Sequence, residues 1–377
     1  MLASDDAIGS LISVSDRIVQ LLFSYLSAHE LKHISMTCHA LNNAVCKYVL
    51  ANAPNRFACD VAEEEGISSM TQTNSYAWGN LLKMCTIFWP ARRRRACMGH
   101  FYVKFYTNWD YEARSEFLES VIYFTDSARL LITVMSDIVG KYHRIEIEVR
   151  RRLRGFFIDH QLTESESEKG FCLSVLLRTQ KSIVEQGRLF LLLFGPLKFV
   201  DGEERIHWDL MSETAFTRNQ GMQIIKPLSS NIYYLSKTTE LKLKFSWSDS
   251  EIFTLIEEVT SAPKVWLFHN FACLLLLQPE LIRTALYYRI FYGRCKEAAH
   301  MLHVMKMVYY RWGCGIFEGL LVPLLDTFEL LNIAQRRHFL AEIISTQSYL
   351  LDGHLRRYPC YCFIISLLPE VHSLISV

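Results

Sequence analysis

The sequence predicts a mainly α-helical protein, with a three-helix module at the N-terminus and a large helical domain after it. Apolar residues recur at helical spacing from residue 14, and from residue 76 onward this pattern has few long breaks. Half of the 377 residues are hydrophobic and 21% are charged, as expected of a well-packed globular protein. We expect the module over residues 10–50, a polar linker over 51–75 and the helical domain over 76–377.

The first predicted helix carries one apolar face. Ile18, Leu21, Leu22, Tyr25 and Leu26 fall at positions i, i+3, i+4, i+7 and i+8 of a helical repeat. We expect this ridge, together with its continuation on the next helix, to stay uncovered by the rest of the chain until another protein binds there.

The second helix has a clear start. Ser27 is a good N-cap, and Glu30 follows three residues later, as a capping box requires. Leu26 and Leu31 are placed for a hydrophobic staple, which would fix the angle between the first two helices. Three short helices of about forty residues bury too little surface to be stable alone, so the module needs a second domain or a partner. The apolar positions that follow the cap are Leu31, Ile34, Cys38, Leu41 and Val45.

Helical patterns dominate the rest of the chain. We expect a polar loop over 163–170, a turn at Asp201-Gly202 and a short strand over 241–245. The apolar stretch 265–277 is too short to span a bilayer and predicts a buried helix. No clean repeat period is present, although a solenoid-like stack of helix pairs is compatible with the pattern. The predicted helices cover residues 116–124, 128–139, 145–158, 246–259, 281–292, 297–310, 317–332 and 335–351.

Charge and cysteine usage narrow the class of protein. The net charge is +1, which argues against a nucleic acid or an acidic membrane as the dominant partner. Residues 1–6 lack the basic-then-apolar layout of a signal peptide. The eleven cysteines include no C-x-x-C pair, so a reduced compartment fits better than a disulfide scaffold.

Few side chains in the sequence are candidates for metal binding or catalysis. Cys295, His300 and His303 are better explained as helix-packing residues than as metal ligands, because no second ligand pair is near in sequence. His29 and His33 share a helix face and belong to the polar side of the module. With neither a phosphate-binding loop nor a G-x-S-x-G elbow, we expect no enzyme activity, no metal and no cofactor.

Two basic runs offer a second candidate surface. Arg92, Arg93, Arg94 and Arg95 form the first run, and Arg150, Arg151, Arg152 and Arg154 form the second. Nuclear import, nucleic-acid contact or capture of an acidic substrate segment would use such runs. A solvated helix face balanced by nearby Glu146 and Glu148 is the favoured explanation of these runs, and the first run supplies the weak candidates for substrate binding.

The N-terminal module resembles the F-box. That family usually opens with Leu-Pro-x-Glu before its apolar run; here Val14 stands for the Leu, Ser15 for the Pro and Arg17 for the Glu. The resemblance implies docking onto the Skp adaptor, which joins F-box proteins to a cullin scaffold. Rim charges mainly tune association rate, so Arg17 is expected to weaken rather than abolish binding. The residues that the resemblance assigns to Skp binding are Val14, Ile18, Leu22, Phe23, Tyr25, Leu26, Leu31, Ile34, Cys38 and Leu41.

Later segments look like the F-box only protein 47 family of meiotic F-box proteins. The similar segments follow the same order and lie at 81–90, 109–110, 159–160, 188–208 and 251–277. This resemblance implies a nuclear substrate receptor that acts in meiotic prophase, with a cytoplasmic location left open.

The sequence therefore leaves three functions open. The first is the substrate-recognition subunit of a Skp–cullin–F-box (SCF) ubiquitin ligase, non-catalytic, which binds an unknown protein substrate and no membrane. The second is a non-ligase scaffold that uses the F-box to bind Skp in a meiotic chromosome-associated assembly; Ser15 and Arg17 keep it open. A nucleic-acid binder is the weakest, because the net charge is near zero.

Overall fold

The computed structural model describes residues 14–63, 71–88, 110–159, 165–241, 244–313 and 317–357. The chain is mainly α-helical, as predicted. It divides into two compact units, Met1–Ser212 with Ser230–Val265, and Glu213–Ser229 with Trp266–Val377. Among the described helices, none combines the length and the apolar character that a membrane span requires.

Among the described residues, four helices precede the body of the first unit. They are α1 (Asp16–Ser24), α2 (Ala28–Ser35), α3 (His39–Glu63) and α4 (Thr71–Cys85). Helix α2 packs against both α3 and α4, so α4 supplies part of the surface that covers the module. The capping box predicted at the start of α2 is confirmed, because Ser27 and Glu30 exchange both hydrogen bonds.

The polar linker expected over 51–75 is helical where the structure describes it. Helix α3 continues to Glu63 and α4 begins at Thr71. The run around Glu63 is rich in Ala and Glu, which are strong helix formers, so its polarity does not break the helix. The domain bounds drawn from the sequence stay a prediction.

The body of the first unit is built from helices packed on their neighbours. Helix α5 (Tyr111–Phe124) packs on α4 and on α8 (Glu166–Arg178). Helix α9 (Ile183–Phe194) packs on α7 (His143–Phe157) and on α13 (Asp249–Ser261). Trp247 is fully buried at its centre and its indole N–H donates to the hydroxyl of Ser174 at 2.9 Å. The helices of this body are α5 (Tyr111–Phe124), α6 (Ser127–Met135), α7 (His143–Phe157), α8 (Glu166–Arg178), α9 (Ile183–Phe194) and α13 (Asp249–Ser261).

A short hairpin follows α9. Strands β1 (Leu197–Val200) and β2 (Glu203–Ile206) pair antiparallel, with Leu197 opposite Ile206. Asp201 and Gly202 both have positive φ, as the tight turn of a two-residue hairpin requires, so the predicted turn is confirmed.

Two local predictions are wrong. The predicted strand over 241–245 is absent from the described part of that segment, where a 3₁₀ segment (Lys237–Leu241) leads into a turn at Lys244 and Phe245. The backbone there takes part in a buried contact, because the Phe245 carbonyl accepts a hydrogen bond from the Ser174 hydroxyl. The predicted loop over 163–170 is helical from Glu166, since the Ser165 side chain caps α8 by accepting from the backbone N–H of Glu168.

The second unit has its own core. Asn270 is fully buried there; its side chain accepts from the backbone N–H of Phe216 at 3.0 Å and donates to the Thr214 carbonyl at 2.7 Å. The buried helix predicted over 265–277 is confirmed from Phe268 to Leu276, which is α14, whereas Val265 lies before the helix and is exposed. Helix α14 packs on α16 (Cys295–Trp312). The helices of this unit are α14 (Phe268–Leu276), α15 (Glu280–Phe291), α16 (Cys295–Trp312), α17 (Val322–Leu330) and α18 (Ile333–Arg357).

The remaining helical segments lie between β2 and α13, or precede α17. They are α10 (Leu210–Glu213), α11 (Arg218–Gln220), a π segment (Gly221–Ile225), α12 (Lys226–Ser236) and a second π segment (Phe317–Leu321).

Candidate docking surface

Helix α1 presents large apolar side chains to solvent. Ile18 is 52% exposed, Leu22 50% and Tyr25 78%, and Leu21 beside them is exposed as well. These four residues, called the α1 ridge below, follow the helical spacing of one face. Contiguous exposed apolar surface of this kind marks a site of protein association more often than scattered single residues do.

Two of the residues assigned to docking lie on the opposite side. Phe23 is 4% exposed and packs edge-on against the ring of Tyr48 in α3. Leu31 is 0% exposed on α2, which packs between α3 and α4. Their side chains therefore hold the module together, which differs from the expectation that they contribute contact surface.

The other assigned residues are half-buried. Met36, just after α2, is exposed and was missed by the sequence reasoning because it lies outside the helical repeat of α2. The half-buried residues are Val14, Leu26, Ile34, Cys38 and Leu41.

Polar contacts fix the module on α4. The buried Asn42 amide donates to the carbonyl of Ser35 at 3.1 Å and to that of Met84 at 3.3 Å. The Cys46 thiol donates to the Cys85 carbonyl at 3.4 Å. The hydrogen bond with Cys46, together with burial, raises the pKa of the Cys85 thiol, so this side chain stays protonated at neutral pH. These contacts tie α2 and α3 to α4 without using any atom of the α1 ridge.

Comparison with known proteins identifies the family to which the larger part of the chain is similar. A family model described as FBXO47, ARM repeats, matches residues 123–361, which is more than half of the chain. The chain belongs to the FBXO47 ARM-repeat family. Stacked helical repeats contact mainly their neighbours, which agrees with the nearest-neighbour helix packing of both units.

Relatives of this FBXO47-family chain carry the name F-box only protein 47. The mouse protein is 22% identical over 326 residues, which cover 77% of this chain and 69% of the mouse protein. The human protein is 21% identical over 294 residues, covering 69% of this chain and 62% of the human protein. No solved structure matches the chain.

The basic run on α7 of this FBXO47-family chain is committed to internal contacts. Arg150 is buried and donates to the carbonyls of Leu192 and Gly195, at 3.1 and 2.7 Å. Burial and the neighbouring charge of Arg154 lower the pKa of Arg150 to about 10, so it remains a cation. A cation that closes the end of α9 from within is not available to an external ligand.

The other arginines of this run pair with neighbouring groups. Arg151 bridges to Glu204 at 2.8 Å, and Arg152 bridges to Glu148 at 2.7 Å. This supports the explanation of a balanced helix face for these two residues. The candidate substrate-binding residues Arg92, Arg93, Arg94 and Arg95 lie outside the described residues.

The histidines of α16 pack within their own unit. The ring of His300 meets that of Phe268 edge-on with centroids 4.9 Å apart, while His303 and Cys295 are buried. Within the described residues, no group of three or more His, Cys, Asp or Glu side chains is placed to hold a metal ion.

Proposed function

We propose that this chain is a substrate-recognition subunit of an SCF ubiquitin ligase and that α1 to α3 form its F-box. The observation that supports this most directly is the α1 ridge, which remains exposed while Phe23 and Leu31 are sealed inside the module. The name of its relatives, F-box only protein 47, supports the same class of protein.

The α1 ridge can supply the docking energy. Complete burial of a Leu, Ile or comparable side chain contributes roughly 1.5–3 kcal/mol, and a few such anchors usually dominate an interface. Ile18, Leu22 and Tyr25 start about half exposed or more, so each gains buried area when a partner covers them. Arg17 lies exposed beside them and would act on association rate more than on the stability of the complex.

The proposed mechanism is proximity, without catalysis by this chain. The module anchors the protein to Skp and, through Skp, to a cullin, while the ARM-repeat body holds a protein substrate near the ubiquitin-loaded enzyme. Stacked repeats offer extended surfaces for such a substrate. A nuclear location and a role in meiotic prophase are part of the proposal and rest on the family resemblance.

The test is capture of Skp by the full chain. Leu22→Asp with Tyr25→Asp places two charges on the α1 ridge, and we expect Skp recovery to fall below detection in co-purification. Ile138→Asp is the matched control, because Ile138 is an exposed apolar residue on a different part of the first unit. Undiminished recovery with the double variant, at an unchanged far-UV spectrum, contradicts the proposal. Leu31 is unsuitable for this test because a charge at a fully buried site would unfold the module.

A non-ligase scaffold is the second candidate. The exposed Arg17, where the F-box family usually has Glu, favours it because a reversed charge alters the rim that meets Skp. Cullin recovery separates the two candidates. A Skp complex that contains cullin supports the ligase subunit, whereas a Skp complex that excludes cullin under the same conditions supports the scaffold.

A further inference from the structure

The rings of His29 and His33 converge on the exposed side of α2. Their Nε2 atoms lie 3.1 Å apart, and the two rings meet edge-on with centroids separated by 4.6 Å. Both side chains are exposed and sit one helical turn apart. Two imidazole nitrogens therefore lie side by side at the protein surface, close enough to reach one small ligand together.

This spacing is close to the one that a single metal ion imposes. Two nitrogens bound to tetrahedral Zn²⁺ at about 2.1 Å lie about 3.4 Å from each other. A ring rotation of a few degrees closes the small difference from the observed separation. Without a metal, the two neutral rings form a hydrogen bond in which the Nε2–H of one ring donates to the Nε2 lone pair of the other.

We propose that His29 and His33 form a two-ligand site for a divalent transition metal, of which Zn²⁺ is the probe of choice. Neutral imidazole is a preferred ligand of Zn²⁺, and a pair spaced four residues apart on a helix is a recurring way to present it. The capping box stabilises the start of α2, so the two rings are held on a formed turn. The other coordination positions are open to water or to a ligand from a bound protein.

The site lacks the arrangement of a zinc hydrolase. The segment reads His29-Glu30-Leu31-Lys32-His33, and in such enzymes the glutamate acts as a base beside the metal. Here the Glu30 carboxylate accepts from the Ser27 backbone N–H at 2.7 Å and from its hydroxyl at 2.9 Å, which holds it at the helix cap. With no third ligand nearby among the described residues, the pair binds a metal without activating a water for hydrolysis.

The experiment titrates ZnCl₂ into the full chain and measures the heat of binding by calorimetry, under reducing conditions and without Skp. Wild type is compared with His29→Gln and His33→Gln, and with His338→Gln as the control, because His338 is an exposed histidine on α18. Either ring variant should weaken one binding event by roughly tenfold or more, since the second ring binds intramolecularly. The control should keep that event. Zn²⁺ should also raise the thermal midpoint of wild type but not of the ring variants.

Two results would overturn the site. If both ring variants bind Zn²⁺ as wild type does, the histidines form a hydrogen-bonded pair only. If one variant loses binding and the other keeps it, the two rings do not share an ion. Because no Skp is present, either result leaves the docking proposal unaffected.

Discussion

The ring of Phe23 meets the ring of Tyr48 edge to face, with 5.6 Å between centroids at an interplanar angle of 76°. This contact joins α1 to α3 on the side away from the α1 ridge. Folding of the module and presentation of its exposed surface therefore depend on different side chains of the same helix.

Truncation at Phe23 and at Leu22 should separate these two roles. Phe23→Ala removes a buried aromatic ring and is expected to cost about 3–5 kcal/mol in the free energy of unfolding. Leu22→Ala alters an exposed residue, and its effect should stay within about 0.5 kcal/mol. Urea denaturation followed by circular dichroism measures both. Equal losses of stability would show that the α1 ridge is structural.

Arginine substitutions on α7 should distinguish the buried cation from its exposed neighbour. Arg150→Ala leaves the carbonyls of Leu192 and Gly195 buried without this donor and is expected to cost about 2–4 kcal/mol. Arg151→Ala breaks one exposed ion pair with Glu204, which is worth about 0.5 kcal/mol or less. Thermal unfolding of the two variants checks the difference. A tolerated Arg150→Ala would contradict the internal role of this residue.

Acid should weaken the link between α5 and α8. Burial opposes ionisation of Glu168, but hydrogen bonds from Arg114 and Tyr111 outweigh it and hold the pKa of Glu168 below its ordinary value. A carboxyl whose pKa is depressed in the folded state stabilises the protein above its unfolded pKa. That contribution is lost as pH falls through the folded pKa, below about pH 4–5.

Glu168→Gln removes this dependence. The variant should be about 3 kcal/mol less stable at pH 7, because the side chain of Arg114 stays buried without its carboxylate. Its stability should then fall less than that of wild type between about pH 5 and pH 3, as measured by urea midpoints at each pH. Parallel pH profiles for the two proteins would count against the proposed linkage.

Alanine at Gly170 should be strongly destabilising. In an exposed helix this change gains about 0.5–1 kcal/mol. At position 170, however, the new Cβ would lie 2.0 Å from the carbonyl oxygen of Tyr234, which forces the backbones apart. We expect a loss of about 3 kcal/mol. Gly187→Ala is the graded control, since its Cβ would lie 3.0 Å from the Cβ of Glu258 and should cost less. Calorimetric unfolding tests the order of the two variants.

The start of α2 could be predicted because its signal is local. Ser27 and Glu30 are three residues apart in the chain, and the capping box needs only that spacing. The division of α1 into a buried and an exposed side could not be predicted. Periodicity shows that apolar residues share a face, but it does not show which apolar residue the chain covers, and Phe23 is buried although it lies outside the repeat.

The sequence predicted only part of the arrangement of His29 and His33. Their four-residue spacing indicated a shared face, whereas the approach of the two Nε2 atoms depends on ring rotation. The fate of Arg150 was hidden for another reason, because its partners Leu192 and Gly195 lie more than forty residues away and are main-chain carbonyls. Long-range contacts to backbone atoms leave no pattern in composition or spacing.

Asn42 ties together helices that lie on both sides of residues 64–70. Its amide reaches Ser35 on one side and Met84 on the other, and α2 packs on α4 as well as on α3. A fragment that stops near residue 50 would therefore lack the α4 surface on which α2 packs and the Met84 acceptor of the Asn42 amide, and it should aggregate or melt early. Recombinant versions intended for binding studies should retain the chain through α5, so that α4 keeps its packing on both α2 and α5.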